Sequence, residues 1–176
     1  NGDIEKRERK IVAELIKNDI TIVSGLANGC DTIAHKVCVE NGGKTVAFLP
    51  TVLDSVYPYN NIDLANEIVE KGGLVITEYV SKPKSRSEGI KRFIERDRLQ
   101  AMFSKAVVLI ASFKQGEGDS GSRHAMYKAR EYGCGRYVMF NEKIDNKKSI
   151  FGLNLQFLEN GSTLLTQNSI KELIKQ

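Results

Sequence analysis

Three stretches of this chain carry residue types that handle anions. The first, Ser24-Gly25-Leu26-Ala27-Asn28-Gly29-Cys30-Asp31-Thr32, joins a β-branched run to a helical pattern. Its glycines let the backbone turn tightly and let a ligand approach the amides, and the start of a helix favours negative charge. Ser24, Gly25, Asn28 and Gly29 are therefore candidates for holding a phosphate. The spacing is neither Gly-x-Gly-x-x-Gly nor a Walker loop, and a purely structural tight turn explains the same residues equally well.

The second stretch, Gln115-Gly116-Glu117-Gly118-Asp119-Ser120-Gly121-Ser122-Arg123-His124, also leads from a strand pattern into a helix. The amides of Gly121 and Ser122, the Ser122 hydroxyl and the Arg123 guanidinium form a second phosphate candidate. Glu117 and Asp119 oppose that charge unless they point away, and a solvated turn is the alternative. The third stretch is basic. Between Val80 and Arg98, seven cations (Lys82, Lys84, Arg86, Lys91, Arg92, Arg96, Arg98) face three acids (Glu88, Glu95, Asp97), an excess of +4 that equals the net charge of the whole chain. Cations track a phosphodiester backbone and an aromatic face stacks on a base, so Lys91, Arg92, Phe93, Arg96 and Arg98 suit a single strand of nucleic acid. The competing reading places Phe93 in the core with Ile90, Ile94 and Phe103, and makes the cations a solvated helix face.

Other chemistry finds little support. The three cysteines, Cys30, Cys38 and Cys134, show no Cys-x-x-Cys spacing, so neither a disulfide framework nor a zinc knuckle is expected. His35 lies four residues after Asp31, but two ligands without a third do not make a metal site, and an ordered capping contact is the simpler role. His124 has no evident catalytic partner. No Gly-x-Ser-x-Gly elbow or His-Glu-x-x-His is present, so no catalytic residue, metal or cofactor is expected. No apolar run approaches the roughly 20 residues needed to cross a bilayer, and the charged start lacks a signal-peptide core. The expected location is the cytoplasm.

The elements that position these stretches follow from periodicity. Ile4, Ile11, Val12, Leu15 and Ile16 share a helical face, and Ile20-Thr21-Ile22-Val23 is a strand. A helix capped by Asp31 runs to about Gly42-Gly43, followed by strand Lys44 to Leu49, a helix over Asp63 to Glu70, and strand Leu74 to Thr77. Ser81 to Gly89 reads as a mobile surface loop leading to a helix over about Lys91 to Phe103. Strand Ala106 to Ile110, a helix from about Ser122 to Tyr132 and strand Arg136 to Phe140 continue the alternation. A looser loop, a short helix near Asn154 to Leu158, a strand Thr163 to Leu165 and a helix from Ser169 close it. Apolar strands between amphipathic helices imply one α/β domain over residues 1–176, doubly wound around a mainly parallel, Rossmann-like sheet. Such a domain normally opens with a strand, so the first strand is expected upstream.

Ser24-Gly25-Leu26-Ala27-Asn28-Gly29-Cys30-Asp31-Thr32-Ile33-Ala34-His35 closely resembles the Ser-Gly-Leu-Ala-x-Gly-x-Asp-x-x-Ala-His signature of the DNA-processing protein A (DprA/Smf) family. Gly43 to Ala47, Leu53-Asp54-x-x-Tyr57-Pro58, the Asn61-to-Gly73 helix and Thr77-Glu78-Tyr79 are similar to the elements that follow. Phe93-x-x-Arg96-Asp97-Arg98-Leu99 resembles Phe-Pro-x-Arg-Asn-Arg-Ile, Ser120-Gly121-Ser122 a Ser-Gly-Ser loop, and Gly152 to Leu165 the family's ending. Ile94, Asp97 and Ala125 depart from its usual Pro, Asn and Thr, which marks a divergent member.

The resemblance implies an extended Rossmann-like domain that binds single-stranded DNA, forms a homodimer and loads a RecA-type recombinase in natural transformation. By the same resemblance the DNA pocket comprises the Gly25-to-Gly29 loop, Phe93 with its neighbouring cations, Arg96, Arg98 and the Gly121-Ser122 loop. The expectation is a binding protein rather than an enzyme. A small-nucleotide sensor or phosphoribohydrolase-like enzyme of a related family is the alternative, although the Pro-Gly-Gly-x-Gly-Thr-x-x-Glu motif of those hydrolases is not matched. A scaffold with a vestigial pocket is the third.

Overall fold

Alternating apolar runs and amphipathic segments fold into helices and parallel strands in a computed structural model that describes residues 2–175. The chain divides into two compact units, Asn1–Gln100 and Ala101–Gln176. The first contains α1 (Gly2–Ile16), β1 (Ile22–Ser24), α2 (Cys30–Glu40), β2 (Thr45–Leu49), a 3-10 turn (Tyr59–Asn61), α3 (Ile62–Glu70) and β3 (Leu74–Thr77). Its sheet has the order β1-β2-β3 with both pairs parallel, Ile22 opposite Thr45 and Val46 opposite Leu74. Helix α4 (Arg86–Met102) runs into the second unit, which continues with β4 (Ala106–Leu109), α5 (Arg123–Glu131), β5 (Gly135–Val138), α6 (Glu142–Asp145), α7 (Gly152–Glu159), β6 (Thr163–Leu164) and α8 (Gln167–Ile174). That sheet has the order β4-β5-β6, again parallel. The expected α/β class and parallel pairing are present, with the ladders closing as two three-stranded sheets.

Each unit is built around its own apolar cluster. In the first, Leu26, Val39, Ala47, Leu49, Leu64, Ala65 and Ile68 meet between the sheet and its helices, while Val12, Ala34, Val37 and Cys38 seal α1 against α2. In the second, Leu109, Met126, Val138, Leu153 and Phe157 do the same. Full burial of each large side chain contributes roughly 1.5–3 kcal/mol, so these clusters hold the strand ends from which the candidate loops depart.

Several boundaries differ from the sequence expectation for identifiable reasons. β1 starts at Ile22 because Ile20 donates its amide to the Leu15 carbonyl at 3.2 Å and belongs to the turn that ends α1. Asp31 is not the cap of α2: the helix begins at Cys30 with Gly29 before it, φ +91°, a left-handed value that favours glycine. α4 begins at Arg86, so the second half of the expected Ser81-to-Gly89 loop is helical. Its start is secured by Ser85, whose hydroxyl accepts from the Glu88 amide at 3.2 Å. The looser loop after β5 contains α6, where the Asn141 side chain accepts from the Lys143 amide (3.0 Å) and buried Asp145 accepts from the Asn141 amide (2.8 Å).

Candidate nucleic-acid interface

The Ser24-to-Gly29 loop leaves the carboxyl end of β1, where an apolar core below and a helix start ahead force a sharp turn. Its amides do not point at open space. The Asp31 carboxylate reaches back from the first turn of α2, taking the Ser24 hydroxyl at 2.7 Å on Oδ1 and the Gly25 and Ala27 amides at 3.1 and 3.2 Å on Oδ2. A side chain of the protein thus occupies the amide cradle expected to hold a phosphate. Leu26 sits at φ +60°, a left-handed position unusual for a side chain of its size, and is held there by full burial and by Asn61, which donates to its carbonyl at 2.8 Å. Asn28 and Gly29 remain at the exposed tip, with the Asn28 side-chain Oδ1 accepting from Asn60 Nδ2 at 3.0 Å.

Gly25 is explained by what lies above it. A Cβ added there would fall 1.9 Å from Nη1 of Arg96, whose guanidinium donates to the carbonyls of Gly25 and of Phe48, the latter at 2.8 Å. Arg96 is 5% exposed, and its Nε meets Asp97 at 3.1 Å. The close approach that the glycine permits is therefore made by an arginine of the same chain. This charge fastens α4 to the ends of β1 and β2, and neighbouring His35, itself buried, feels it. The Thr45 hydroxyl donates to the Ile22 carbonyl at 2.9 Å, so it accepts from Nδ1 of His35 at 2.7 Å, leaving Nε2 as a buried lone pair without a partner. Burial holds the His35 pKa down at about 4, opposed by Asp31 and aided by Arg96.

The remaining residues of α4 divide by exposure. Arg92 is buried: it donates to the Ser81 carbonyl (2.7 Å) and to Glu88 (2.6 Å), and its guanidinium carbon lies 4.2 Å from the centre of the Tyr79 ring. The Tyr79 hydroxyl donates to Glu95 at 2.9 Å, and burial first, then this carboxylate, push its pKa up to about 12. Arg98 forms a two-oxygen contact with Glu78 at 2.5 and 2.6 Å. Lys91 pairs with Glu95 at 3.2 Å but its side chain is 73% exposed. Phe93 is half-buried, with its ring edge-on to Tyr57 at 5.8 Å between centroids and 88° between planes. Tyr57 in turn meets Tyr59 at 5.9 Å and 76°. Lys82, Lys84 and Arg86 are exposed, and no side-chain ion pair engages them among the described residues.

In the second unit the Gly121 amide donates to the Asp119 carboxylate at 3.0 Å, so that acid does not point away. Arg123 folds onto Ser120, donating to its carbonyl at 2.8 Å and its hydroxyl at 2.6 Å. Ser122 is exposed at the start of α5. The loop is braced from beneath by fully buried Asn154, which donates to the carbonyls of Leu109, Ile110 and Met139 (3.3, 2.9 and 2.9 Å) and accepts from the Ser112 amide (3.1 Å). Sequence reasoning did not single out Asn154, Tyr57 or Tyr59 as individual contributors. No three His, Cys, Asp or Glu side chains converge as metal ligands among the described residues, and no described helix is long and apolar enough to cross a membrane.

A family model described as DNA recombination-mediator protein A matches residues 2–176. The chain belongs to that family. Its relatives include protein Smf of Synechocystis, 41% identical over 104 residues, a stretch covering 58% of this chain and 25% of that protein. The chain thus spans about a quarter of that relative. Among solved structures, DNA processing protein A of Helicobacter pylori superposes with a TM-score of 0.81 at 26% identity, covering 99% of this chain and 75% of the other. That of Streptococcus pneumoniae gives 0.79 at 27% identity, covering 97% and 56%. The Helicobacter protein binds single-stranded DNA. Members of this DprA/Smf family act in DNA processing, and the parallel α/β architecture of this chain agrees with theirs.

Proposed function

We propose that this chain binds single-stranded DNA along the outer side of α4 and the basic segment before it, without itself catalysing a reaction. The observation that carries the reading is the exposed set Lys82, Lys84 and Arg86 leading to exposed Lys91 and to Phe93. No side-chain ion pair engages those three among the described residues, although the Lys84 amide donates to Glu88 at 2.8 Å. Within this reading Arg92 and Arg96 position α4, Arg98 tethers it to Glu78, and Phe93 offers a ring edge beside the strand. Each loop tip is by itself a further candidate for phosphate contact, Asn28 with Gly29 in the first unit and, separately, Ser122 with Arg123 in the second. The wider role we assign is that of a cytoplasmic homodimer that passes the strand to a RecA-type recombinase during DNA uptake. The family membership supports it, and so does the single-stranded DNA bound by the Helicobacter relative.

The test is the anisotropy of a labelled oligothymidine titrated at two salt concentrations. Affinity falls as salt rises, and Lys82→Ala/Lys84→Ala/Arg86→Ala lowers the slope of log K against log salt by about 2, since each lost phosphate contact on a single strand removes roughly 0.7. Binding that is undetectable at low salt, or a slope unchanged in the triple variant, refutes the assignment. Light scattering of the purified chain tests the dimer.

A further inference from the structure

A cavity of about 300 Å³ lies beside the loop after β2, lined by Thr51, Ser55, Tyr57, Tyr59, Lys82 and Pro83 among others. That volume is at the small end of ligand sites, room for one flat ring system with its attached group rather than for a chain of them. Its lining is mostly apolar, with the Tyr57 and Tyr59 side chains, Val52 and Pro83 beside Thr51, Ser55 and Lys82. The Thr51 hydroxyl oxygen is buried and has no hydrogen-bond partner. Buried hydroxyls are normally paired, and this one lies beneath the cavity wall as an unsatisfied polar group of a lining residue. Tyr57 and Tyr59 are 47% and 69% exposed, large rings at the surface where the core does not need them. Lys82 brings a cation that no described carboxylate neutralises; Asp54, in the same loop, is exposed and does not line the cavity.

An apolar recess flanked by exposed rings, with a positive charge beside it, is the complement of a nucleotide. The ring stacks on a base and the lysine meets a phosphate, while Thr51 shapes the wall behind them. The geometry points to this cavity as a subsite for one nucleobase and its phosphate. Tyr57 connects it to the proposed DNA path, because the edge contact of Tyr57 with Phe93 on one side and Tyr59 on the other makes a continuous row of three rings. The inference rests on the single-stranded DNA reading for the source of the base: it is an unpaired base of the strand whose neighbours pass Phe93.

The test uses the full chain with an oligothymidine carrying one 5-iodouracil, cross-linked by light and mapped by mass spectrometry, together with affinities of Tyr59→Ala, Tyr59→Phe and Thr51→Val. The expected result is a cross-link at Tyr57 or Tyr59, affinity weakened about fivefold or more by Tyr59→Ala, and near wild-type affinity in Tyr59→Phe, which keeps the ring. Thr51→Val, close in shape, weakens binding less than Tyr59→Ala. Cross-links confined to residues outside the cavity, or Tyr59→Ala binding within twofold of wild type while Phe93→Ala is impaired, overturn the subsite and leave the DNA reading standing. If the wild type binds no oligonucleotide, the DNA reading fails, and thymidine monophosphate titrated against tyrosine fluorescence decides the cavity. Quenching that is lost in Tyr59→Ala retains the base site with a free nucleotide as its source. No quenching overturns it.

Discussion

Replacing Glu8 by glutamine should remove a pH dependence that this one side chain imposes on folding. Glu8 lies on α1, is 1% exposed, and one of its carboxylate oxygens has no hydrogen-bond partner. Burial raises its pKa to about 8; the charges of Asp31 and Glu5 push the same way, while Cys30 and Arg9 pull it down. Between the ordinary value of 4.5 and about 8 the folded chain holds a proton that the unfolded chain has released, so stability falls as pH rises through that window and levels off above it. His35 works in the opposite sense: its folded pKa of about 4 lies below the unfolded 6.5, so its contribution is complete above 6.5 and is lost as pH falls toward 4. Between pH 6.5 and 8 Glu8 therefore acts without opposition from His35. One pKa unit corresponds to 1.36 kcal/mol, so wild type should lose roughly 2 kcal/mol across that interval. Urea unfolding at pH 6.5 and pH 8, followed by tyrosine fluorescence and circular dichroism, measures it. Glu8→Gln should be nearly flat between the two and more stable than wild type at pH 8. Parallel losses in both proteins would refute the reasoning and place the ionised carboxylate in contact with water or a cation.

Gly25→Ala drives a methyl into Arg96 Nη1, displacing a buried guanidinium from two carbonyls, and should cost about 3 kcal/mol in thermal or urea unfolding; a loss under about 0.5 kcal/mol would show that α4 gives way freely. Asp31→Ala frees the Ser24 hydroxyl and two amides and should destabilise by about 2–3 kcal/mol, checked by the same unfolding measurement. Asn154→Leu keeps the volume but strips partners from three carbonyls and the Ser112 amide, with an expected loss of about 3 kcal/mol or more, seen as a lowered thermal midpoint.

Helices and strands were largely legible in the sequence because periodicity is local: Ile11, Val12, Leu15 and Ile16 need only each other to announce a helical face. The family signature was legible too, being written in consecutive residues. The partner of a charge is not local. Arg96 has the same composition cues as exposed Lys91, yet it is buried against carbonyls 71 and 48 residues away. An acid near a helix start usually caps it, whereas the Asp31 carboxylate turns backward to the loop. The early start of α4 is written locally, since Ser85-Arg86-Ser87-Glu88 fits the Ser-x-x-Glu pattern of a helix N-terminus, although the surrounding Lys, Pro and Ser residues equally fit a surface loop. Tyr57 and Tyr59 had no periodic signal, because their significance comes from the ring of Phe93 on another element.

The reach of Asp31 into its own loop bears on how this junction behaves before any ligand arrives. An anion tethered by a few bonds competes for these amides as an intramolecular group, and it never dissociates into bulk solvent. The turn between β1 and α2 is thus held in one shape in the empty protein. An incoming phosphodiester has nothing to organise there and cannot signal its arrival by ordering that turn; to sit on the same amides it would have to evict a carboxylate that remains covalently attached, ready to return. Gly121 and Asp119 repeat the arrangement on a smaller scale. Each junction, sealed by its own carboxylate, is a poor seat for a single terminal phosphate, which on the proposed reading leaves recognition to the exposed residues around it.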